Sequence, residues 1–223
     1  MAFEGILTIN KPANITSYDV IRKIKKIIGK QKIGHAGTLD PFATGILIIA
    51  IGKKFTKQLS SYQALPKIYR FTIQLGIQTT TLDPEGDIIS ELPIPTPYTT
   101  QSIHNALNTF KGETTQIPPA FSAKKIQGQR AYKLARKGKE VKLEPTTITI
   151  HDINLLNYDP KTHQIECRIN CEKGTYVRSL SRDIAIQLNT VGYTKTLVRE
   201  AVGNHTLDTA LSIDQLENHL INN

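Results

Sequence analysis

The sequence predicts an α+β fold around an antiparallel or mixed sheet, and three observations carry that expectation. Segments of period two and segments of helical period follow one another irregularly along the 223 residues. No regular strand–helix–strand alternation occurs, and no internal repeat is visible. Hydrophobic residues make up 39% of the chain, enough to build one sizeable core and too many for a disordered polymer. A single domain is the default for this length.

The elements follow in order. Ser17 to Ile28 predicts a helix: Val20, Ile21, Ile24, Ile27 and Ile28 form one stripe, Arg22, Lys23, Lys25 and Lys26 take the other side, Thr16 or Ser17 caps it, and Gly29 stops it. Gly34 to Gly45 predicts a loop, and Ile46 to Ile51 an element buried on both faces. Lys67 to Ile77 predicts a strand alternating through Ile68, Ile73, Leu75 and Ile77, with Phe71 slipping phase. Pro84, Pro93, Pro95 and Pro97 predict an extended connection. Thr100 to Phe110 predicts a helix on Ile103, Ala106, Leu107 and Phe110. Strands are expected at Thr146 to Tyr158, Gln164 to Cys171 and Thr194 to Val202, with a helix at Leu180 to Leu188. Ser212 caps a last helix through Ile213, Leu216 and Leu220.

Lys and Arg number 28 against 19 Asp and Glu, a net charge of +9 that suits a polyanionic partner. The surplus is concentrated in residues 122 to 142, where eight cations, among them Lys124, Lys125 and Arg130, face the single acid Glu140. Such a run is either a solvated face or a nucleic-acid contact. No apolar run approaches the roughly 18 to 20 residues of a spanning helix. Glu4 and a Lys-Pro pair interrupt the N-terminal region before an apolar stretch builds, so no secretory signal is expected and the cytoplasm is the expected location. Cys167 and Cys171 lie on one face of a predicted strand about 13 Å apart, too far for a disulfide or one metal ion. They read as buried apolar residues, and no metal is expected.

Several chemistries are excluded by spacing. Gly45 to Lys53 has six residues between its glycines where a phosphate-binding loop needs four, and GxGxxG, HExxH, paired CxxC and GxSxG are all absent. What remains is GHAGTLDPFATG, residues 34 to 45, which sets His35, Thr38, Asp40 and Thr44 among glycines. An Asp before Pro is commonly a turn former, yet the glycines also let backbone approach a ligand closely. A buried loop Asp needs a partner such as Arg178 or Arg182 to stay ionised.

At this loop the sequence resembles the catalytic motif of the tRNA pseudouridine-55 synthases of the bacterial TruB type. Four further segments agree in order: residues 5 to 20 (GILTINKPANITSYDV), Lys67-Ile68-Tyr69, residues 112 to 138 (GETTQIPPAFSAKKIQGQRAYKLARKG) and residues 172 to 178 (EKGTYVR). There are departures. Thr80 stands where the family has a carboxylate, Val198 where an Arg is common, and Gly-Tyr-Thr at 192 to 194 replaces Gly-Ala-His.

The resemblance implies a pseudouridine-synthase-like fold: a mixed, mostly antiparallel sheet flanked by helices, with a basic thumb-like insert over about residues 112 to 142. It implies one catalytic domain over 1–223, without the small C-terminal RNA-binding domain of many members. The implied reaction is isomerisation of uridine 55 in the T-loop of tRNA, by a monomer that needs no cofactor. Asp40 is then the nucleophile, or the base of a glycal route, and Arg178 the guanidinium that pairs with it. Tyr69 lies against the uracil and is a candidate to move the proton, Tyr176 and Leu197 line the pocket, Asp83 is a polar contact, and His35 fills the space left by the flipped base. Lys67, Lys124, Lys125 and Arg130 are the remaining expected substrate contacts. Two rival readings stand beside this one: a non-catalytic tRNA-binding or tRNA-folding module, and a guide-RNA-dependent pseudouridine synthase.

Overall fold

The computed structural model describes residues 3–94, 98–126, 128–139 and 141–222. Two compact units emerge: one takes the residues up to Arg70 together with those from Leu197 onward, the other spans Phe71–Thr196.

The first unit is built on β1 (Gly5–Lys11), α1 (Ser17–Ile28), β2 (Ile33–Ala36) and β3 (Thr44–Ile51). Short helices α2 (Lys53–Thr56) and α3 (Leu59–Ala64) lead into β4 (Lys67–Leu75), which passes from the first unit into the second. Thr16 caps α1, its hydroxyl accepting the Asp19 N–H while the Asp19 carboxylate accepts the Thr16 N–H, and Gly29 ends the helix at φ 76°. β3 is the spine. β1 pairs with it antiparallel from Gly5↔Ile51 to Lys11↔Gly45, and β2 from Ile33↔Ile51 to Ala36↔Ile48. Leu47, Ile49 and Ile51 face Val20, Ile21 and Ile24 of α1, while Ile46 and Ile48 face the opposite way toward Leu59, Tyr62 and Leu65. Each isoleucine so buried contributes about 1.5–3 kcal/mol.

The second unit continues with β5 (Ile77–Thr79), β6 (Ile88–Glu91), α4 (Thr100–Asn108) and β7 (Gly112–Gln116). A small hairpin, β8 (Lys125–Ile126) and β9 (Gln129–Arg130), precedes α5 (Ala131–Ala135). Then come β10 (Thr146–Asp159), β11 (Gln164–Cys171), α6 (Val177–Gln187) and β12 (Gly192–Val202), which returns the chain to the first unit. Within the second unit the strand order is β12-β4-β11-β10-β7. Phe71, Ile73, Leu75, Ile165, Cys167, Ile169 and Cys171 are buried in it, as are Ile103 and Leu107 of α4 and Leu180 and Ile184 of α6. β13 (His205–Thr206) and α7 (Ile213–Asn222) complete the first unit, where Leu216 and Leu220 pack on the α1 layer. The pairing is mixed but mostly antiparallel, as expected, with β12 and β3 parallel at Val198↔Thr44 and Arg199↔Gly45. No described helix is long and apolar enough to cross a membrane.

Four expectations need correction. The loop expected from Gly34 begins only after Ala36, because β3 recruits residues 33–36 as an edge partner. In β4 the buried positions are Lys67, Tyr69, Phe71, Ile73 and Leu75, so Phe71 is in phase and Ile68 is not. The connection from Pro84 contains β6, which turns back on β5; Pro95 and Pro97 lie outside the described residues. The helix expected from Leu180 starts at Val177 and therefore includes Arg178.

Candidate active site

In the first unit the segment between β2 and β3 carries Asp40, which is half-buried, and has few apolar side chains of its own to fix it. Buried polar groups do so instead. The Ser17 hydroxyl, at the start of α1, donates to the Leu39 carbonyl at 3.1 Å and accepts the Leu39 N–H at 2.9 Å. Lys11, fully buried, donates its ammonium to the carbonyls of Pro12 and Ile15 at 2.8 Å and of Pro41 at 3.2 Å. The Asn14 N–H donates to the same Pro41 carbonyl at 2.8 Å. From the other side Arg199, 2% exposed, donates Nε to the Ile46 carbonyl at 2.6 Å and Nη2 to the Gly37 carbonyl at 2.8 Å. The residues on either side of Asp40 are therefore held, through buried donors, by three elements: the end of β1, the start of α1, and β12.

His35 is half-buried and its Nε2 lies 3.2 Å from Thr38 Oγ1. Tyr69 on β4 and Leu197 on β12 are buried, at 9% and 7% exposure. The Lys67 ammonium donates to the carbonyls of Gln63 and Leu65, closing the C-terminal end of α3.

The second unit holds a separate cluster. Arg178 stands in the first turn of α6, and its Nη1 lies 3.3 Å from Asp83 Oδ2. The same guanidinium donates to the carbonyls of Thr81 at 2.8 Å and Phe121 at 2.9 Å. Asp83 Oδ1 accepts from the Thr81 hydroxyl and from the Glu85 N–H, so the carboxylate is fixed before it meets the cation. Tyr176 stands at the residue preceding α6, and the buried Gln116 side chain clamps it, accepting the Tyr176 N–H at 2.8 Å and donating to the Tyr176 carbonyl at 3.1 Å. Ser179 and Arg182 both donate to the Ile117 carbonyl, so residues 117–121 are laced to α6.

Lys124 is half-buried and its carbonyl accepts the Ala131 N–H at 2.8 Å, while Arg130 is exposed at the start of α5. The Lys125 side chain lies outside the described residues. Among the described residues no three His, Cys, Asp or Glu side chains gather as metal ligands would. The positioning roles of Lys11, Ser17 and Gln116 were not read from the sequence. Lys11 and Ser17 did lie inside the N-terminal segment that agreed with the family, and that agreement was the available signal.

The architecture has counterparts among solved structures. A chain of the Cbf5-Nop10-Gar1 complex matches with a TM-score of 0.73 and 26% identity, covering 96% of this chain. This chain spans about half of that one, 54% of its length. Residues 25–177 match the TruB family pseudouridylate synthase (N terminal domain). The tRNA pseudouridine synthase B of Caldanaerobacter subterraneus is 40% identical over 219 residues, covering 97% of this chain and 75% of its relative. That of Aquifex aeolicus is 41% identical over 212 residues, covering 95% and 73%. The chain belongs to the TruB family of pseudouridylate synthases.

Proposed function

We propose that this chain isomerises uridine to pseudouridine in tRNA, at position 55 of the T-loop, acting as a monomer on the T-arm. The reaction breaks the N1–C1′ bond, turns the uracil, joins C5 to C1′ and releases the C5 proton while N1 takes a proton up, so nothing is added or removed overall. A carboxylate and a proton carrier suffice for it. Asp40 takes the first role, as nucleophile or as base of a glycal route. Arg178 is its assigned cationic partner, oriented within its own unit by Asp83. Tyr69 faces the base and is the candidate proton carrier, Tyr176 and Leu197 complete the contacts to it, and His35 enters the RNA where the nucleotide has left. Extruding that nucleotide costs a few kcal/mol, which contacts to the flipped base offset. Lys124, Arg130 and the cations around them meet phosphates, which supply strength without sequence information.

One observation carries this reading: two buried cations, Lys11 and Arg199, donate to the carbonyls of the short loop that bears Asp40. Burying a charge is costly unless it is well partnered, and an ordinary turn does not need two.

The test uses the purified chain alone and a tRNA transcript tritiated at uridine C5. Tritium should pass into water, the product should map to position 55, and Asp40→Asn should stop release while leaving tRNA binding intact. Binding without release would leave a non-catalytic module. Release only when a guide RNA is added would favour a guide-dependent synthase.

A further inference from the structure

A second concentration of positive charge belongs to the first unit, whereas residues 122–142 belong to the second. The last turn of α1 carries exposed Lys25 and Lys26, and after Gly29 the exposed Lys30 and Lys32 lead into β2. The Gly52 N–H donates to the Lys32 carbonyl at 2.8 Å, and exposed Lys53 and Lys54 follow immediately on α2. Six ammonium groups thus gather at the Ile51 end of the β1–β3–β2 ladder. Glu4 is the acid beside them, since a Cβ on Gly52 would stand 2.6 Å from its carboxyl carbon. Among the described residues no carboxylate forms an ion pair with any of the six lysines.

An independent feature sits in the middle of this cluster. The Gln31 amide is buried, and neither its nitrogen nor its oxygen has a hydrogen-bond partner among the described residues. An outward rotamer that offers its N–H to an anion would relieve that deficit.

The Asp40 loop joins β3 at Thr44, and the lysines lie beyond Ile51 at the other end of the same strand. Seven residue steps of strand separate the two, about 23 Å. Phosphates reaching the lysines therefore belong to a part of the RNA remote from the reacting nucleotide.

We propose that this lysine-rich end of β3 is a second RNA-backbone contact, which grips a full tRNA outside its T-arm. The proposal rests on the tRNA substrate proposed above and adds to it a preference for the whole molecule over the isolated arm. Because such contacts act through counterion release, each phosphate lost weakens binding about fivefold at physiological salt and flattens the log-log salt dependence by just under one unit.

The experiment compares the wild-type chain with a variant combining Lys30→Gln, Lys32→Gln, Lys53→Gln and Lys54→Gln, all exposed positions outside the catalytic machinery. Affinity and turnover are measured on a full-length tRNA transcript and on its isolated T-arm stem-loop, across a salt series. For full-length tRNA the variant should bind at least about tenfold more weakly, with a shallower salt slope. Turnover and affinity on the stem-loop should stay as in wild type. Equal weakening on both RNAs would reduce the surface to a diffuse field and overturn the proposal, as would no weakening on either. Wild type that binds both RNAs without turning them over would defeat the enzymatic reading and leave the binding comparison intact.

Discussion

Arg178 Nη1 stands 3.3 Å from Asp83 Oδ2, with both side chains buried at 4% and 3% exposure. Removing the carboxylate from a buried ion pair is destabilising, by up to about 3–5 kcal/mol and by less where the cation keeps other acceptors. Asp83→Ala should therefore lower the free energy of unfolding measured in urea by up to that much, while Arg178 still donates to the Thr81 and Phe121 carbonyls. Adding Arg178→Met to it should recover a good part of the stability and none of the activity. Stability that falls further in the double variant would show that the pair is not coupled.

The Ser17 hydroxyl holds both backbone groups of the residue before Asp40. Ser17→Ala orphans a buried N–H and a buried carbonyl, a loss of about 1–3 kcal/mol. If Asp40 is the nucleophile proposed above, a small displacement of its carboxylate lowers kcat by up to about 100-fold. Steady-state kinetics on tRNA should show that loss in kcat, with KM held within about twofold. A variant whose KM rises while kcat holds would place Ser17 in RNA binding.

Gly45 lies at φ 102°, and a Cβ there would meet the Arg199 carbonyl oxygen at 2.2 Å and its nitrogen at 2.8 Å. Both are backbone atoms of β12 paired in register, so neither yields. Gly45→Ala should cost several kcal/mol and leave little folded protein. At Gly29, also at positive φ, the space around a Cβ is open. Gly29→Ala should cost about 1–3 kcal/mol, the conformational penalty alone of a backbone (φ 76°, ψ −151°) that only glycine adopts readily. Thermal denaturation of the two variants gives the comparison.

Asp19 has its carboxyl held below the usual range, chiefly by the Thr16 hydroxyl, then by the Thr16 N–H, with Arg22 adding a smaller effect. A folded-state value below the unfolded one means stability that is fully present above the unfolded value and lost as pH falls through the folded one. The Tm advantage of the native chain over Asp19→Asn should be constant near neutrality, begin to shrink as pH falls to about 4, the range of a free carboxylate, and be lost at still lower pH. An advantage that persists there would assign it to packing.

What the sequence made legible were elements whose signal is local. The apolar stripe and cap of α1, the doubly buried run of β3 and the period of β11 all carry their own evidence in neighbouring residues. β1 was missed because its buried face includes Lys11, whose partners Ile15 and Pro41 are brought near only by folding. β7 reads GETTQ and has no apolar period; its hydrogen bonds come from β10. The β5–β6 hairpin hid in a proline-rich stretch. Motif agreement singled out Asp40 and Arg178 as candidates, whereas the Gln116 clamp on Tyr176 spans sixty residues of chain and has no sequence pattern.

Both edges of β3 are occupied: β1 covers one along its full length, while β12 takes Thr44 and Gly45 and β2 takes Ile48 to Ile51 on the other. Amide protons in such a strand trade with deuterium only when the surrounding unit melts. The segment bearing Asp40 springs directly from this doubly paired strand, so warming should not soften the seat of the Asp40 carboxylate ahead of the rest. Heat inactivation and loss of β3 protection should then track together.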